Sequence, residues 1–385
     1  MFFLRLVARN AFRARLRTAL TVLGLVIALA AFGLLQTVVQ AWYAGADAAS
    51  PTRLVTRNSI SLVFPLPIYY RDRIRAIDGV RSVATSNWFG GVWRDERNFF
   101  AQFAVDSPQY FAMYPEFVFK PDEWADFLRD RRGAAVGRQL ADLYGFKVGD
   151  TIPLKSSIYP GNWEFTVRAI YDAKDETTIT RQMYFHFDYL NEQIKKIFPR
   201  RSDQAGVFIV SIADSSASAD IARAIDAEFK NSLAETLTET EKAFQLSFVA
   251  MTEAILVAIQ AVSFVVIVII MAVMANTMAM TARERYAEYA TMKALGFGAA
   301  FVAGLIVAES LGLALAAGAA GIALTFPLAA VFADAMGTLF PVFFVSDETV
   351  ALQLAAALAV GLVAAAIPAW RAARVRIVDG LRAVA

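Results

Sequence analysis

Cysteine is missing from all 385 residues, and histidine occurs once, at His186. The first absence excludes disulfides, thiolate metal sites and a lipidated cysteine, and leaves the compartment open. The second leaves no cluster of His and Cys to hold zinc, and no H-E-x-x-H exists. No G-x-x-x-x-G-K-[ST] and no G-x-S-x-G is found, so the chain offers neither a P-loop nor a nucleophile elbow. A lone histidine among aromatics, in Phe185-His186-Phe187, reads as structural before catalytic. Acid is scarce in the apolar runs, where Glu309 alone lies deep. One isolated carboxylate makes a poor proton relay, and it reads as a structural hydrogen-bond partner before a transport group. These absences argue against an enzyme, a metal site or a resident cofactor, and nothing points to nucleic acid.

What the sequence does have is apolar bulk. It is 57% hydrophobic with a mean hydropathy of +0.47, outside the range of an ordinary soluble domain. The excess concentrates in four charge-poor runs, Ala19–Val39, Ala254–Ala279, Ala299–Val331 and Val350–Pro368. Each reaches about the 20 residues that a helix needs to cross a bilayer. The stretch between the first two has a soluble composition. The expected fold is therefore an α-helical membrane protein with four transmembrane helices. A mixed α+β extracytoplasmic domain is inserted between helices 1 and 2. The boundaries expected are an amphipathic N-terminal helix over 1–17, the first span over 18–41 and the outer domain over 42–245. A stalk and second span follow over 246–279, a connector over 280–298 and the third span over 299–331. A short loop over 332–349, the fourth span over 350–368 and a tail over 369–385 complete the chain.

Charge fixes the expected orientation. Arg5, Arg9, Arg13, Arg15 and Arg17 precede the first run without an acid, and Arg371, Arg374, Arg376 and Arg382 follow the last. The loop Phe332–Thr349 has Asp334, Asp347 and Glu348 and no Lys or Arg. The positive-inside rule then places both termini and the connector in the cytoplasm, and the large domain outside the bacterial cytoplasmic membrane. The first run is too long for a typical signal-peptide core and reads as a retained anchor.

Within the outer domain, Tyr69–Ile77 reads as a helix and Gly79–Val83 as a turn into a strand. Ala134–Leu154 reads strand, helix, the Gly149-Asp150 turn, then strand. Phe165–Tyr171 and Val207–Ile212 are further strands, and Asp220–Phe229 is an amphipathic helix. Aromatic-rich stretches at Trp88–Trp93 and Tyr110–Phe119 fit a core, and as a lesser reading an apolar surface for lipid. From Thr238 a helical pattern continues through Thr252 into the second run, so a stiff rod is expected there. The third run is rich in small residues (Gly304, Gly312, Gly318, Gly321) suited to close helix packing. Pro327 is expected to kink or end it, and Pro368 to end the fourth.

The connector, Met280–Gly296, carries Arg283, Glu284, Arg285, Glu288 and Lys293. Glu284 and Glu288 stand four apart, as do Tyr289 and Lys293, and Gly296 is a helix stop. A charged helix with a small-residue apolar side suits docking into a groove on a soluble partner. A plain solvated connector fits the same composition.

These residues resemble the MacB/FtsX-type permease subunits of ABC transporters. Arg285, Glu288, Lys293, Ala294, Leu295 and Gly296 fit the family's R-x-x-E-x-x-x-x-[RK]-A-L-G, and Glu309 with Gly312 fits its third span. Arg9, Asn10, Arg13, Arg17, Thr18, Leu20, Thr21, Leu23 and Gly24 match its N-terminal run. The end of the chain, from Pro368 to Arg382, is similar to its C-terminal motif, with Ile377 and Gly380 departing from Pro and Ala. Val136, Gly137, Leu140, Ala141, Gly145 and Val148–Thr151 fit the periplasmic-core motif. The resemblance implies a chain without a nucleotide site of its own. Two separate ATPase subunits would bind ATP and Mg, and a second permease chain would pair with this one. The connector would be the coupling helix, with Arg283, Arg285, Glu288, Lys293, Ala294, Leu295 and Gly296 as its contact residues. ATP-driven closure would move the outer domain to export or release an envelope-associated substrate, with a periplasmic adaptor or substrate protein and membrane lipids as further partners. Lipoprotein or lipid extraction and control of a cell-wall hydrolase are the alternatives that the family offers.

Overall fold

In the computed structural model, residues 15–175, 177–336, 340 and 342–375 are described. The N-terminal helix expected before Arg15 and the end of the C-terminal motif lie outside them. The chain divides into two units. One holds the described parts of Met1–Ala41, Thr252–Met336 and Phe343–Ala385, the other those of Trp42–Met251 and Gly337–Val342.

In chain order, α1 (Arg15–Asp47) is followed by β1 (Arg53–Asn58), β2 (Leu66–Pro67), α2 (Tyr70–Arg75), β3 (Val80–Trp88), β4 (Gly91–Val92) and β5 (Ala101–Val105). Next come α3 (Ser107–Met113), β6 (Phe117–Val118), α4 (Pro121–Arg129), β7 (Gly133–Gly137), α5 (Arg138–Tyr144), β8 (Thr151–Ser156) and β9 (Asn162–Ala173). They lead to β10 (Gln182–His186), α6 (Phe187–Ile197), β11 (Gln204–Ala205), β12 (Val207–Ile212), α7 (Ser218–Glu228) and β13 (Thr236–Thr240). The helices α8 (Glu241–Ala250), α9 (Glu253–Glu284), α10 (Tyr286–Ala294), α11 (Ala299–Met336) and α12 (Asp347–Ala373) close the series.

The outer unit is built on one mixed sheet in the order β13-β1-β12-β3-β5-β10-β7-β9-β8-β4. It is α+β, with one continuous sheet through both ends. The pattern expected over Ala134–Leu154 appears as β7, α5 and β8, and β12 spans the residues expected of it. In β8 the alternation is strict, Ile152, Leu154 and Ser156 buried and their neighbours exposed, as a strand with one covered face requires. The close approach of β7 to the loop before β10 needs Gly137: a Cβ there would lie 2.1 Å from the Thr180 carbonyl oxygen. One face of the sheet packs Phe89, Phe165 and Phe185, the other Tyr110, Phe111, Tyr171 and Tyr184. The aromatic stretches flagged in the sequence are thus mostly core.

In the other unit, four helices (α1, α9, α11 and α12) are long and apolar enough to cross a membrane. Leu25 and Leu29 of α1, Ile270 and Met274 of α9, Leu305 and Ile306 of α11, and Val360 and Ala364 of α12 share one core. Gly318 and Gly321 supply close approach: a Cβ at the first would lie 2.9 Å from that of Ala357, at the second 3.0 Å from that of Leu29. Gly304 and Gly312 face open space. Polar groups are tied inside the bundle. Gln353 Nε2 donates to the Leu29 carbonyl and to Thr325 Oγ1, each at 2.8 Å, and joins α12 to α1 and α11.

Three expectations are corrected. The rod into the second span is two helices, because the backbone turns at Met251–Thr252 between α8 and α9, and residues 236–240 form an edge strand. The helix starts only where the Thr240 hydroxyl accepts the Ala243 N–H as an N-cap. Neither proline ends its helix: α11 runs through Pro327 to Met336 and α12 through Pro368 to Ala373. Pro368 is buried and Pro327 exposed, and each helix continues past its proline, whereas propensity alone argues for a break. The fourth helix also starts earlier than Val350. Ser346 caps it by accepting the Thr349 N–H at 3.1 Å.

Candidate functional site

The connector begins inside α9, whose last turn holds Arg283 and Glu284. At Arg285 the backbone leaves helical geometry before α10 starts, and this bend turns the side chain inward. Arg285 is 5% exposed, and Nη1 donates to Glu309 Oε2 at 2.8 Å. Its Nε donates to Glu288 Oε2 at 3.2 Å, and its guanidinium lies 5.4 Å from the centre of the Tyr289 ring. One guanidinium therefore joins two carboxylates and an aromatic face, while its buried Nη2 is left without a hydrogen-bond partner. Glu309, 3% exposed, anchors it from α11.

Two further ties leave the connector. Arg17 of α1 forms a bidentate pair with Glu284 at 2.9 and 2.8 Å. Lys293 Nζ donates to the carbonyls of Ala373 and Val375 at 2.6 and 2.9 Å, which caps the C-terminal end of α12. The connector ends in a Schellman motif: Phe297 N–H bonds the Met292 carbonyl and Gly296 N–H the Lys293 carbonyl. Gly296 takes φ +95°, a left-handed conformation that costs glycine least.

The seven residues that the sequence grouped as one contact set thus divide. Arg285, Glu288 and Lys293 are engaged within the unit, and Glu309 with them. Arg283, Ala294, Leu295 and Gly296 face outward, joined by Thr291. Leu295 is 75% exposed. What remains exposed is an apolar tip with one flanking cation. The side chains pointing inward had the residue types of a docking helix, and no signal in the sequence told where each pointed.

The family description "MacB-like periplasmic core domain" matches residues 18–228, more than half of the chain. "FtsX-like permease C-terminal" matches residues 260–377. The chain belongs to the MacB/FtsX permease family. This family is the permease component of ABC transporters, and the chain is a membrane protein with an extracytoplasmic domain. Among solved structures, the chain is similar to the periplasmic region of MacB from Actinobacillus actinomycetemcomitans, at 10% identity and a TM-score of 0.36, over 52% of this chain and 94% of that one. It is also similar to the extracellular domain of the noncanonic ABC-type transporter YknZ from Gram-positive bacteria, at 12% identity and a TM-score of 0.35, over 49% and 100%. A domain of a putative permease protein from Porphyromonas gingivalis matches at 12% identity and a TM-score of 0.33, over 49% and 88%. No curated protein matches the sequence.

In this permease, His186 is held at the end of β10 between two partners. Its Nε2 donates to the Phe127 carbonyl at 2.8 Å, so its Nδ1 accepts from Ser107 Oγ, also at 2.8 Å. Burial pushes its pKa below the ordinary value and keeps the ring neutral. Its role is to join α3, α4 and β10.

A second charged cluster in the permease's outer unit had no signal in the sequence, because its members lie up to 188 residues apart. Arg53 Nε donates to Glu241 Oε2 at 2.6 Å, and its Nη2 to Glu116 Oε1 at 2.8 Å. Tyr114 donates to Glu241 Oε1 at 2.9 Å. Burial opposes the Arg53 charge, and Glu241, Tyr114 and Glu116 together outweigh that penalty and raise its pKa. The cluster holds β1, α3 and α8 together.

Proposed function

We propose that this chain couples ATP hydrolysis by two separate ATPase subunits to a conformational change outside the membrane, and so drives export or release of an envelope-associated substrate. The observation that carries the reading is the connector's double character. Its outer tip, at Thr291 and Ala294–Gly296, is exposed and apolar. Its inner side is bonded to three other helices through Arg17–Glu284, Arg285–Glu309 and Lys293 with the end of α12. A load on the tip is thereby delivered to α1, α11 and α12 together.

Orientation supports this. Arg15, Arg17, Arg283, Lys293, Arg371 and Arg374 flank the apolar helices at one set of ends, and residues 332–349 carry no Lys or Arg. The positive-inside rule puts the first set in the cytoplasm, where ATP and Mg are held by the ATPases. A second permease chain completes the pair, and the outer domain meets an adaptor or substrate protein.

The test is co-purification of the tagged chain with the ATPase subunits of its source. Leu295→Asp is expected to release the ATPase, because it puts a charge in an apolar groove, and to leave the membrane unit intact. Retention of the ATPase by Leu295→Asp would sink the coupling assignment.

A further inference from the structure

The outer unit contains a cavity of about 1200 Å³, more than the roughly 300–1000 Å³ of most small-molecule sites. We propose that it is a binding trough for one long acyl chain.

The floor is one face of five adjacent strands, β1, β12, β3, β5 and β10. Register sets Val55 beside Ile209, Ser86 beside Val207, Trp88 beside Phe103 and Phe103 beside Tyr184, and all of them line the cavity. Phe244 and Phe248 of α8 cover one end, beside the Arg53 cluster. Ile158 stands at the other beside Trp88, and Leu62 and Val63, in the loop that follows β1, also line the cavity. Arg57 is paired with Val207 and Val207 with Ser86, so Trp88 lies about six strand positions from the level of Arg53. At about 3.3 Å per residue the trough is about 20 Å long. The hydrocarbon core of a bilayer, two chains deep, is about 30 Å, so a single chain of about 15 Å fits lengthwise.

The chemistry agrees with the size. At the inner end the charges are spent on one another: Glu241 accepts from Arg53, Tyr114 and the Ser50 N–H, and Glu116 accepts from Arg53. Burial pushes the Tyr110 phenol up to about 12, so it too stays neutral. The Arg53 cluster is thus paired within itself, and Lys174 beside Glu116 is the cation that lines this end. The far mouth is open, with Val63 84% and Trp88 42% exposed, and Asn87, Arg201 and Gln204 give it a polar rim. Exposed aliphatic residues on an extracytoplasmic loop, continuous with an apolar trough, suit entry of a chain whose polar head stays at the mouth.

The site itself does not depend on ATPase coupling; that the acyl-bearing molecule is the moved substrate rests on the function proposed above. The test uses the full chain in amphipol, without ATPase, carrying Trp42→Phe and Trp370→Phe so that no tryptophan remains in the long apolar helices. The probe is 9,10-dibromostearate, whose bromines quench tryptophan on contact. Saturable quenching is expected, reversed by unlabelled stearate and lost when Trp88→Phe removes the reporter. Val63→Asp, at an exposed mouth position, and Phe244→Glu, in the cover, should each weaken binding at least about tenfold, by placing a carboxylate beside the chain. Leu233→Asp, fully exposed and away from the trough, should leave it unchanged. Quenching that does not saturate, or that is equal in all three variants, would overturn the site. Intact binding with no ATPase capture would leave the site and remove only its role as a substrate site.

Discussion

Replacing Glu309 with glutamine is the sharpest test of the connector's inner ties. Arg285 and Glu309 are 5% and 3% exposed and 2.8 Å apart. At an effective dielectric of about 20 that separation gives a gross attraction of about 6 kcal/mol. Most of it offsets desolvation, so the net worth of the pair is small, while removal of one partner strands the other. Stranded buried charges cost about 3–5 kcal/mol. Glu288 still accepts from Arg285 Nε in the variant, which puts the expected loss near the lower end, about 3 kcal/mol. That is about a hundredfold in an opening equilibrium. The cysteine-free sequence supplies the assay. Ser263 is fully buried in α9 and its hydroxyl has no hydrogen-bond partner, so Ser263→Cys is a mild change that creates a single protected thiol. Maleimide labelling of that thiol should accelerate about a hundredfold in Glu309→Gln. Adding Arg285→Met should recover much of the loss, since it removes the stranded charge and leaves a neutral pair. Equal labelling rates in the parent and Glu309→Gln, or a double variant less stable than the single, would refute this account.

Four further outcomes follow from the same geometry. Lys293→Gln should uncover the last carbonyls of α12, cost about 1 kcal/mol and raise trypsin cleavage at Arg371 and Arg374 in a timed digest. Gly296→Ala forces a Cβ into a left-handed turn and should cost about 1 kcal/mol in thermal unfolding, with ATPase capture reduced only in proportion. Gly137→Ala should abolish folding of the outer unit, seen as loss of the native tryptophan emission, because the Thr180 backbone occupies the space. His186 has a folded pKa below its ordinary value of about 6.5, so above that pH its contribution is complete. Between that value and the folded pKa the unfolded chain binds the extra proton, and stability falls as pH is lowered. Denaturant midpoints of the parent should decline over this window. His186→Asn should lower the midpoint throughout and flatten the slope.

The sequence by itself determined the elements with strong local signals. Four long apolar runs, the alternation of β8 and β9, and the stop at Gly296 all act within one turn or one strand, so spacing was enough to find them. The family followed from the same runs, with the motifs Arg285 to Gly296 and Val136 to Thr151 in order. What the tertiary structure decided is where the charged and breaking residues point. Pro327 and Pro368 look like breaks in the sequence, yet both lie inside continuous helices. The rod expected from Thr238 begins instead with an edge strand, because Thr236–Thr240 pairs with β1, some 180 residues earlier, and continues as two helices. Arg285 and Leu295 carry equal weight in the motif, yet one is buried against Glu309 and the other exposed, since the bend after α9 sets their directions. The trough has no local signal at all. Its floor is assembled from five strands brought together by register, and a surface of that kind exists only once the sheet has closed on its partners.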